Sequence, residues 1–326
     1  MSNALKVAEI QSGTRIDGVM LLSTSERRQD RNGNDYWQGE LKGADRQSVV
    51  ARFFRPPESA FELEPGSVVE VRAQADTFRD QLNLKIESIA AVPDAAAVED
   101  FSPSSARDPQ AMFAELDAYL DKLQESSPTI AAVCAGVLAR EEVASGITHW
   151  WAAQRRHHAF RGGLLEHILE MLALAETLCD LYRELDRDLV LAGCILHDLG
   201  KLVELAPRGA EYGYSAAGSL VGHIAICDSW VAEACAEASA DEELTMRLRH
   251  LVLSHHGERT MGAVVEPATP EAMALHLLDY LSSQLRQAVD AVEELGSPGA
   301  VNAEGMANRR DWRFQRFWYG GSGEAE

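Results

Sequence analysis

Histidines and aspartates are strung along the C-terminal two-thirds of the chain: His167, the adjacent pair His197-Asp198, His223, His255-His256 and Asp279. Imidazole with carboxylate is the ligand mix that holds divalent transition metals in hydrolytic sites. If these residues converge, the chemistry they could perform is metal-assisted hydrolysis of phosphate esters. Each has an ordinary reading when taken alone. A single histidine at His167 suits a satisfied core position, and Asp198 could be matched by a buried arginine or lysine. Their combined weight comes from where the surrounding pattern puts them.

The stretches around them have helical periodicity. Residues 164–184 are apolar nearly all round, and His167 shares a face with Leu164, Met171 and Leu174, as expected of a helix central to a bundle. In 187–199, His197 continues the stripe of Val190 and Cys194, and Asp198 that of Leu191 and Ile195, before Gly200 as a natural stop. An unpartnered carboxylate buried there would be costly, so Asp198 demands a strong partner. In 240–256, Leu244, Leu248 and Leu251 lead to His255, with His256 turned to the flank. Thr269-Pro270-Glu271 is a start signal for 270–292, in which Asp279 falls among Leu275, Leu278 and Leu281. His223 follows Gly222 near the start of a helix expected over 217–238. Further helices are expected at 128–140 and 141–153, after an amphipathic one opening at Pro109.

The first ninety-odd residues have a different texture. Arg15–Leu22, Tyr36–Leu41, Ser48–Phe54, Ser67–Ala75 and Leu82–Ile89 are short runs of β-formers separated by turn residues, with a short helix expected at Glu58–Leu63. Five such strands predict a small Greek-key barrel of OB type, with an SH3-like barrel as the competitor. The expected fold is therefore multidomain, β plus all-α: barrel 1–92, linker 93–109, helical bundle 110–295, and a C-terminal tail 296–326.

A formal charge of −21 excludes a surface that is basic all over, but the deficit is uneven. Residues 1–95 carry 12 Lys+Arg against 15 Asp+Glu, a net of −3, leaving −18 on the remainder. A local basic groove on an acidic protein can still bind phosphates. Five cysteines form no CxxC pair, which suits reduced core thiols and a cytoplasmic setting. No run approaches a membrane span, so no membrane partner is expected.

The motifs carry a resemblance. His167, His197-Asp198 and Asp279 resemble the H…HD…D signature of the HD-domain metal-dependent phosphohydrolases. The wording of His157-His158-Ala-Phe-Arg-Gly-Gly-Leu-Leu-Glu-His167, of Ala192 to Lys201, of Gly222-His223-Ile224, of Ser254-His255-His256-Gly257 and of Thr269 to Asp279 is similar to the YhaM-type 3′→5′ exoribonucleases. That family joins an OB-fold nucleic-acid-binding domain to an HD domain. The chain departs from it at Tyr280-Leu-Ser-Ser-Gln284, where relatives continue with an acidic, lysine-containing stretch, and at Ala51-Arg-Phe-Phe54, where they have a tryptophan followed by an acid. The tail has no counterpart.

The resemblance implies a single-strand-specific exoribonuclease acting from the 3′ end on RNA, with single-stranded DNA as a further substrate, releasing nucleoside monophosphates. One or two ions are expected. His167, His197, Asp198 and Asp279 would hold the first, and Asp198 would bridge to a second on His223 and His255. Such ligands suit Mn²⁺, Co²⁺, Fe²⁺, Zn²⁺ or Ni²⁺ over Mg²⁺ or Ca²⁺, and the resemblance favours manganese or cobalt. Lys201 would neutralise phosphate charge, His157 or His158 would contact the scissile phosphate or protonate the leaving oxygen, and His256 would flank the substrate.

For the barrel, Phe53, Phe54, Tyr36 and Trp37 with Arg52, Arg55 and Arg79 are the candidate stacking and phosphate-binding groups, half of the aromatics being expected in the core. The tail Arg309 to Tyr319, with four arginines and five aromatics, either binds single strands or docks on this or a neighbouring subunit, which leaves a homo-oligomer open. Two other readings stand beside the exonuclease: a phosphohydrolase of a small nucleotide or cyclic dinucleotide, and a non-catalytic nucleic-acid-binding module.

Overall fold

The computed structural model describes residues 3–45, 47–78, 81–92, 101–154, 156–208, 211–296 and 300–321. Arg79 and much of the expected linker lie outside them. The chain divides into two compact units, Met1–Pro103 with Ala206–Gly213, and Ser104–Leu205 with Tyr214–Glu326.

In the first unit, β1 (Arg15–Gln29), β2 (Asp35–Lys42), β3 (Ser48–Phe54), β4 (Val68–Phe78) and β5 (Gln81–Ala91) close a barrel in the order β1-β2-β3-β5-β4, with β1 pairing back to β4. That closure is of OB type. β1 runs seven residues beyond the expected end because a register shift between Leu22 and Thr24 bends it, so one strand can pair with both β4 and β2. Glu58–Glu62 forms a single 3₁₀ turn.

Alternation sorts the barrel's aromatics. Trp37, Gly39 and Leu41 point inward from β2, and Val49 and Ala51 from β3. A Cβ on Gly39 would stand 2.5 Å from the Trp37 ring, so the indole fills the space that the glycine leaves. Trp37 is 0% exposed and donates to Ser25 Oγ at 2.9 Å. Phe53 also packs against the barrel core. Both occupy the inward phase of their strands. Trp37, fully buried, is no base-stacking platform, which corrects the expectation for it. Phe53 is partly buried, so these two are the core half of the four aromatics.

The second unit is helical, with α1 (Pro109–Ser126), α2 (Pro128–Leu138), α3 (Glu141–Ala144), α4 (Gly163–Leu181), α5 (Arg187–Leu196), α6 (Lys201–Glu204), α7 (Ala216–Leu220), α8 (His223–Glu237), α9 (Glu242–Ser254) and α10 (Pro270–Glu293). Side-chain caps open several of them. Asp108 accepts from the Ala111 N–H at 2.8 Å, Asp241 from Leu244 at 2.7 Å and Thr269 from Ala272 at 3.1 Å. α5 is buried from Leu189 to Leu196 and packs against α2, α4, α9 and α10. It is the rod around which the ligand-bearing helices gather.

Three local expectations change. The helix expected over 141–153 stops at Ala144; a Cβ on Gly146 would meet Leu202 at 2.6 Å, and Ile147, Trp151 and Ala152 bury as a loop. The helix expected over 217–238 breaks at Gly222, whose φ of +81° suits glycine and restarts the chain at His223. A hairpin, β6 (Leu205–Arg208) with β7 (Glu211–Tyr214), stands where no strand was expected. Among the described residues no helix is long and apolar enough to cross a membrane. All five cysteines are buried and free.

Candidate metal centre

Asp198 is the hub. It lies just past the C-terminal end of α5, 1% exposed, and its two oxygens face different neighbours. Oδ2 is 3.3 Å from His197 Nε2, 3.8 Å from His167 Nε2 and 2.5 Å from Lys201 Nζ. Oδ1 is 3.5 Å from His223 Nε2 and 3.7 Å from His255 Nε2. Asp279, from the middle of α10, reaches His167 Nε2 at 3.3 Å. Six helices or helix ends thus contribute to one polar pocket inside an apolar bundle.

The far nitrogen of each ring explains how the rings are aimed. His197 Nδ1 donates to the Cys194 carbonyl at 3.1 Å and His255 Nδ1 to the Val252 carbonyl at 2.7 Å. Both acceptors lie in the last turn of the histidine's own helix. His223 Nδ1 donates to Glu204 Oε1 at 2.8 Å, and the same oxygen accepts the His223 backbone N–H at 3.0 Å. Ser282 Oγ donates to Glu170, so it accepts from His167 Nδ1 at 3.1 Å. With Nδ1 protonated in each ring, every Nε2 presents a lone pair. The Nε2 atoms of His167, His197, His223 and His255 and the Asp198 Oδ1 atom are buried without a hydrogen-bond partner. Lone pairs converging on carboxylate oxygens repel unless a cation sits between them. The donor set therefore fits a divalent metal ion.

Close backbone approach makes the geometry feasible. A Cβ on Gly200 would stand 2.1 Å from the His223 carbonyl oxygen, so only glycine lets α8 begin this close to the His-Asp pair. Gly257 leaves the same kind of room for His276, whose Nδ1 donates to the His255 carbonyl at 3.0 Å.

Electrostatics follow the packing. Burial disfavours the Asp198 anion, but Lys201 and His197 outweigh it and hold its carboxyl well below the usual range. Asp279 is likewise lowered against burial, chiefly by His167. Burial, then the neighbouring imidazoles, push His255 well below the ordinary histidine value. Burial and His223 bring His256 down to about 4. Burial lowers His197 too, yet Asp198 more than reverses it. Lys201 is raised by Asp198 in the face of burial.

A cavity of about 470 Å³ opens onto this centre, lined by His157, Lys201, His223, His256, Asp279 and Trp312 among others. It separates the adjacent histidines. His157 faces it, with both ring nitrogens unpartnered, and burial followed by His167 and Lys201 keeps its pKa well below the ordinary value. His158, held at a φ of +49°, turns away. It is fully buried, with Nε2 3.1 Å from Glu170, and is not part of the cavity lining, so the expectation that it meets substrate is corrected. His256 comes nearer than a flank position requires, its ligating atom lying within 4.8 Å of those of His223 and His255.

Sequence reasoning missed Glu170, Glu204, His276 and Ser282. Glu170 and Ser282 each stand three residues after a candidate ligand, on the same helical face, and that spacing was the available signal. On the barrel, Phe54 is 49% exposed and stacks on Tyr36 with centroids 5.3 Å apart. Arg52 points outward but is held by Gln38 at 3.1 Å and Asn83 at 2.5 Å, while Arg55 is exposed.

A family model described as HD domain matches residues 164–284, which contain His167, His197-Asp198, His223, His255-His256 and Asp279. Among similar proteins, three are named 3′-5′ exoribonuclease YhaM. That of Shouchella clausii (strain KSM-K16) is 32% identical over 298 residues, covering 90% of this chain and 91% of that protein. That of Geobacillus sp. (strain WCH70) is 31% identical over 296 residues, 90% and 89%. That of Bacillus subtilis (strain 168) is 29% identical over 301 residues, 92% and 93%. The second OB-fold domain of replication protein A from Methanococcus maripaludis aligns at 14% identity and a TM-score of 0.23, over 28% of this chain and 95% of that domain.

Proposed function

The chain belongs to the YhaM family of 3′-5′ exoribonucleases, and from that premise we propose that it removes nucleoside monophosphates from the 3′ end of single-stranded RNA by metal-dependent hydrolysis. The observation that carries the hydrolytic part is the ring of buried, unpartnered Nε2 lone pairs around the two oxygens of Asp198.

His167, His197, Asp198 Oδ2 and Asp279 would hold one ion, and Asp198 Oδ1 with His223 and His255 a second, with His256 within reach of it. Nitrogen-rich ligation favours manganese or cobalt over magnesium. Bound ions supply Lewis acidity toward phosphate oxygens and acidify water at neutral pH. The chain's own groups do the rest. Lys201, pinned by Asp198 at the cavity wall, places a positive charge where a non-bridging phosphate oxygen would sit. His157, kept neutral by burial, offers one N–H to the scissile phosphate; a group so reluctant to protonate is better suited to that contact than to donating a proton to the leaving oxygen. We assign residues 110–295 to hydrolysis. To residues 1–92 we assign strand binding, with Tyr36, Phe54 and Arg55 on the outer face.

The test is a labelled RNA ladder. Protein with Mn²⁺ should shorten a 5′-labelled single strand stepwise, and a His197→Ala/Asp198→Ala variant should not. Turnover of small nucleotides with inert RNA would move the assignment to a nucleotide phosphohydrolase. Metal-independent RNA binding without turnover of either would leave a binding module.

A further inference from the structure

The C-terminal segment is not a loose tail: it docks on its own chain beside the end of α10. It folds back on itself through the bridges Val301↔Ala307 and Met306↔Tyr319, with the Ala307 N–H donating to Trp318 O and the Gly320 N–H to Gly305 O, both at 2.8 Å. Arg313, 9% exposed at its side chain, pairs with Asp311 at 2.8 Å and with Glu294 just beyond α10. Asp311 also accepts the backbone N–H groups of Arg313 and Phe314. These bonds fix the backbone on both sides of Trp312.

The indole so held is 53% exposed. The Arg313 guanidinium lies over its ring, 5.2 Å from the centroid. Trp312 lines the cavity of the metal centre, together with His157, Lys201 and Asp279. It also lines a second cavity of about 460 Å³, whose wall includes Arg309 and Arg310. Among the described residues neither of those arginines pairs with a carboxylate; Arg310 rests on the Phe317 ring at 5.6 Å. Trp312 thus joins the cavity of the hydrolytic centre to one that carries Arg309 and Arg310 and whose carboxylates, Glu294 and Asp311, are both engaged by Arg313. Any base offers a π-face to an exposed indole, and phosphates follow the cations, which is the chemistry of sequence-tolerant single-strand binding.

Resting on the exonuclease reading, we propose that Trp312 stacks on the base upstream of the nucleotide being removed and that Arg309 and Arg310 hold the phosphates beyond it. The segment then acts as an entry rail for the 3′ end, and base stacking next to the cavity makes a single strand the preferred substrate.

The test compares the full-length protein with Trp312→Ala, Trp312→Phe and Arg309→Ala/Arg310→Ala. One substrate is a short single-stranded RNA; the other is the p-nitrophenyl ester of thymidine 5′-monophosphate, which has no second base. With Mn²⁺, Trp312→Ala should lower kcat/KM on RNA by about tenfold to a hundredfold more than on the ester, mostly through KM. Trp312→Phe should recover most of that loss. The double arginine variant should bind RNA with a shallower salt dependence. Equal losses on both substrates would mean that Trp312 only braces the cavity and would overturn the proposal, as would unchanged RNA turnover. If the unmutated chain cleaves neither substrate, the exonuclease reading falls by itself. RNA anisotropy in chelator then still decides the rail: equal affinity of wild type and Trp312→Ala would overturn it.

Discussion

Ser282 Oγ stands 3.1 Å from His167 Nδ1 and donates its own proton to Glu170 Oε2, also at 3.1 Å. A hydroxyl thus passes the pull of a carboxylate on α4 to an imidazole on the same helix, by way of α10. The relay fixes the His167 tautomer and aims Nε2 at Asp279 and Asp198. Groups that orient a ligand in this way typically carry tenfold to a hundredfold in metal affinity. Ser282→Ala and Glu170→Gln should each weaken Mn²⁺ binding by about that factor, measured by calorimetry, while Ser282→Thr keeps most of it. Unchanged affinity in both variants would remove the relay from the account.

Lys201 and Asp198 form a buried pair that matters most without metal. Removing one member of such a pair leaves an uncompensated charge, at a cost of about 3–5 kcal/mol. Lys201→Met should therefore lower unfolding stability by roughly that much in chelator. The deficit should narrow once Mn²⁺ takes over the role of counter-charge, whereas RNA turnover stays depressed. A deficit that metal does not narrow would mean that the lysine serves folding alone.

Acid should loosen the metal-free bundle in two stages. His157 and His255 are held well below the ordinary value and His256 near 4. Between their folded values and about 6.5 the unfolded chain binds more protons, so stability falls as pH drops below that upper bound. His197, raised by Asp198, works the other way, its contribution being present below about 6.5 and lost as pH rises through its folded value. Asp198 and Asp279 have lowered values, so their contribution is present above the ordinary carboxylate range and lost below it. Urea unfolding in chelator at successive pH values should show the first loss before the second, and His256→Gln should flatten the first. A flat profile down to the carboxylate range would refute this sign.

The barrel predicts a contrast between two aromatics on adjacent strands. Phe54, exposed beside Tyr36, should lower RNA affinity on truncation to alanine by about 1–3 kcal/mol with little change in unfolding. Trp37→Ala should instead destabilise the barrel by about 3–5 kcal/mol, because its ring lies against Gly39 at the centre. Anisotropy and chemical unfolding separate the two. A binding loss without destabilisation at Trp37 would reverse the assignment of inner and outer faces.

Hydrophobic period made the barrel, the bundle and most helix starts legible, because burial on one face leaves its rhythm in the chain whatever the neighbours. The same rhythm marked Asp198, His255 and Asp279 as polar residues continuing apolar stripes, which a folded protein keeps only with compensation. Other features depended on distance. His157 and His158 are equal as letters, and only the backbone turn at His158 sends one ring to the cavity and the other to Glu170. Ser282 looks like any helix serine until α4 brings His167 and Glu170 beside it. Trp312 lies over thirty residues past Asp279 in the chain and reaches the same cavity because Arg313 anchors its segment beyond α10. Periodicity records which side of an element is dry; which donors meet there is decided by side-chain packing between elements, and no local pattern encodes that.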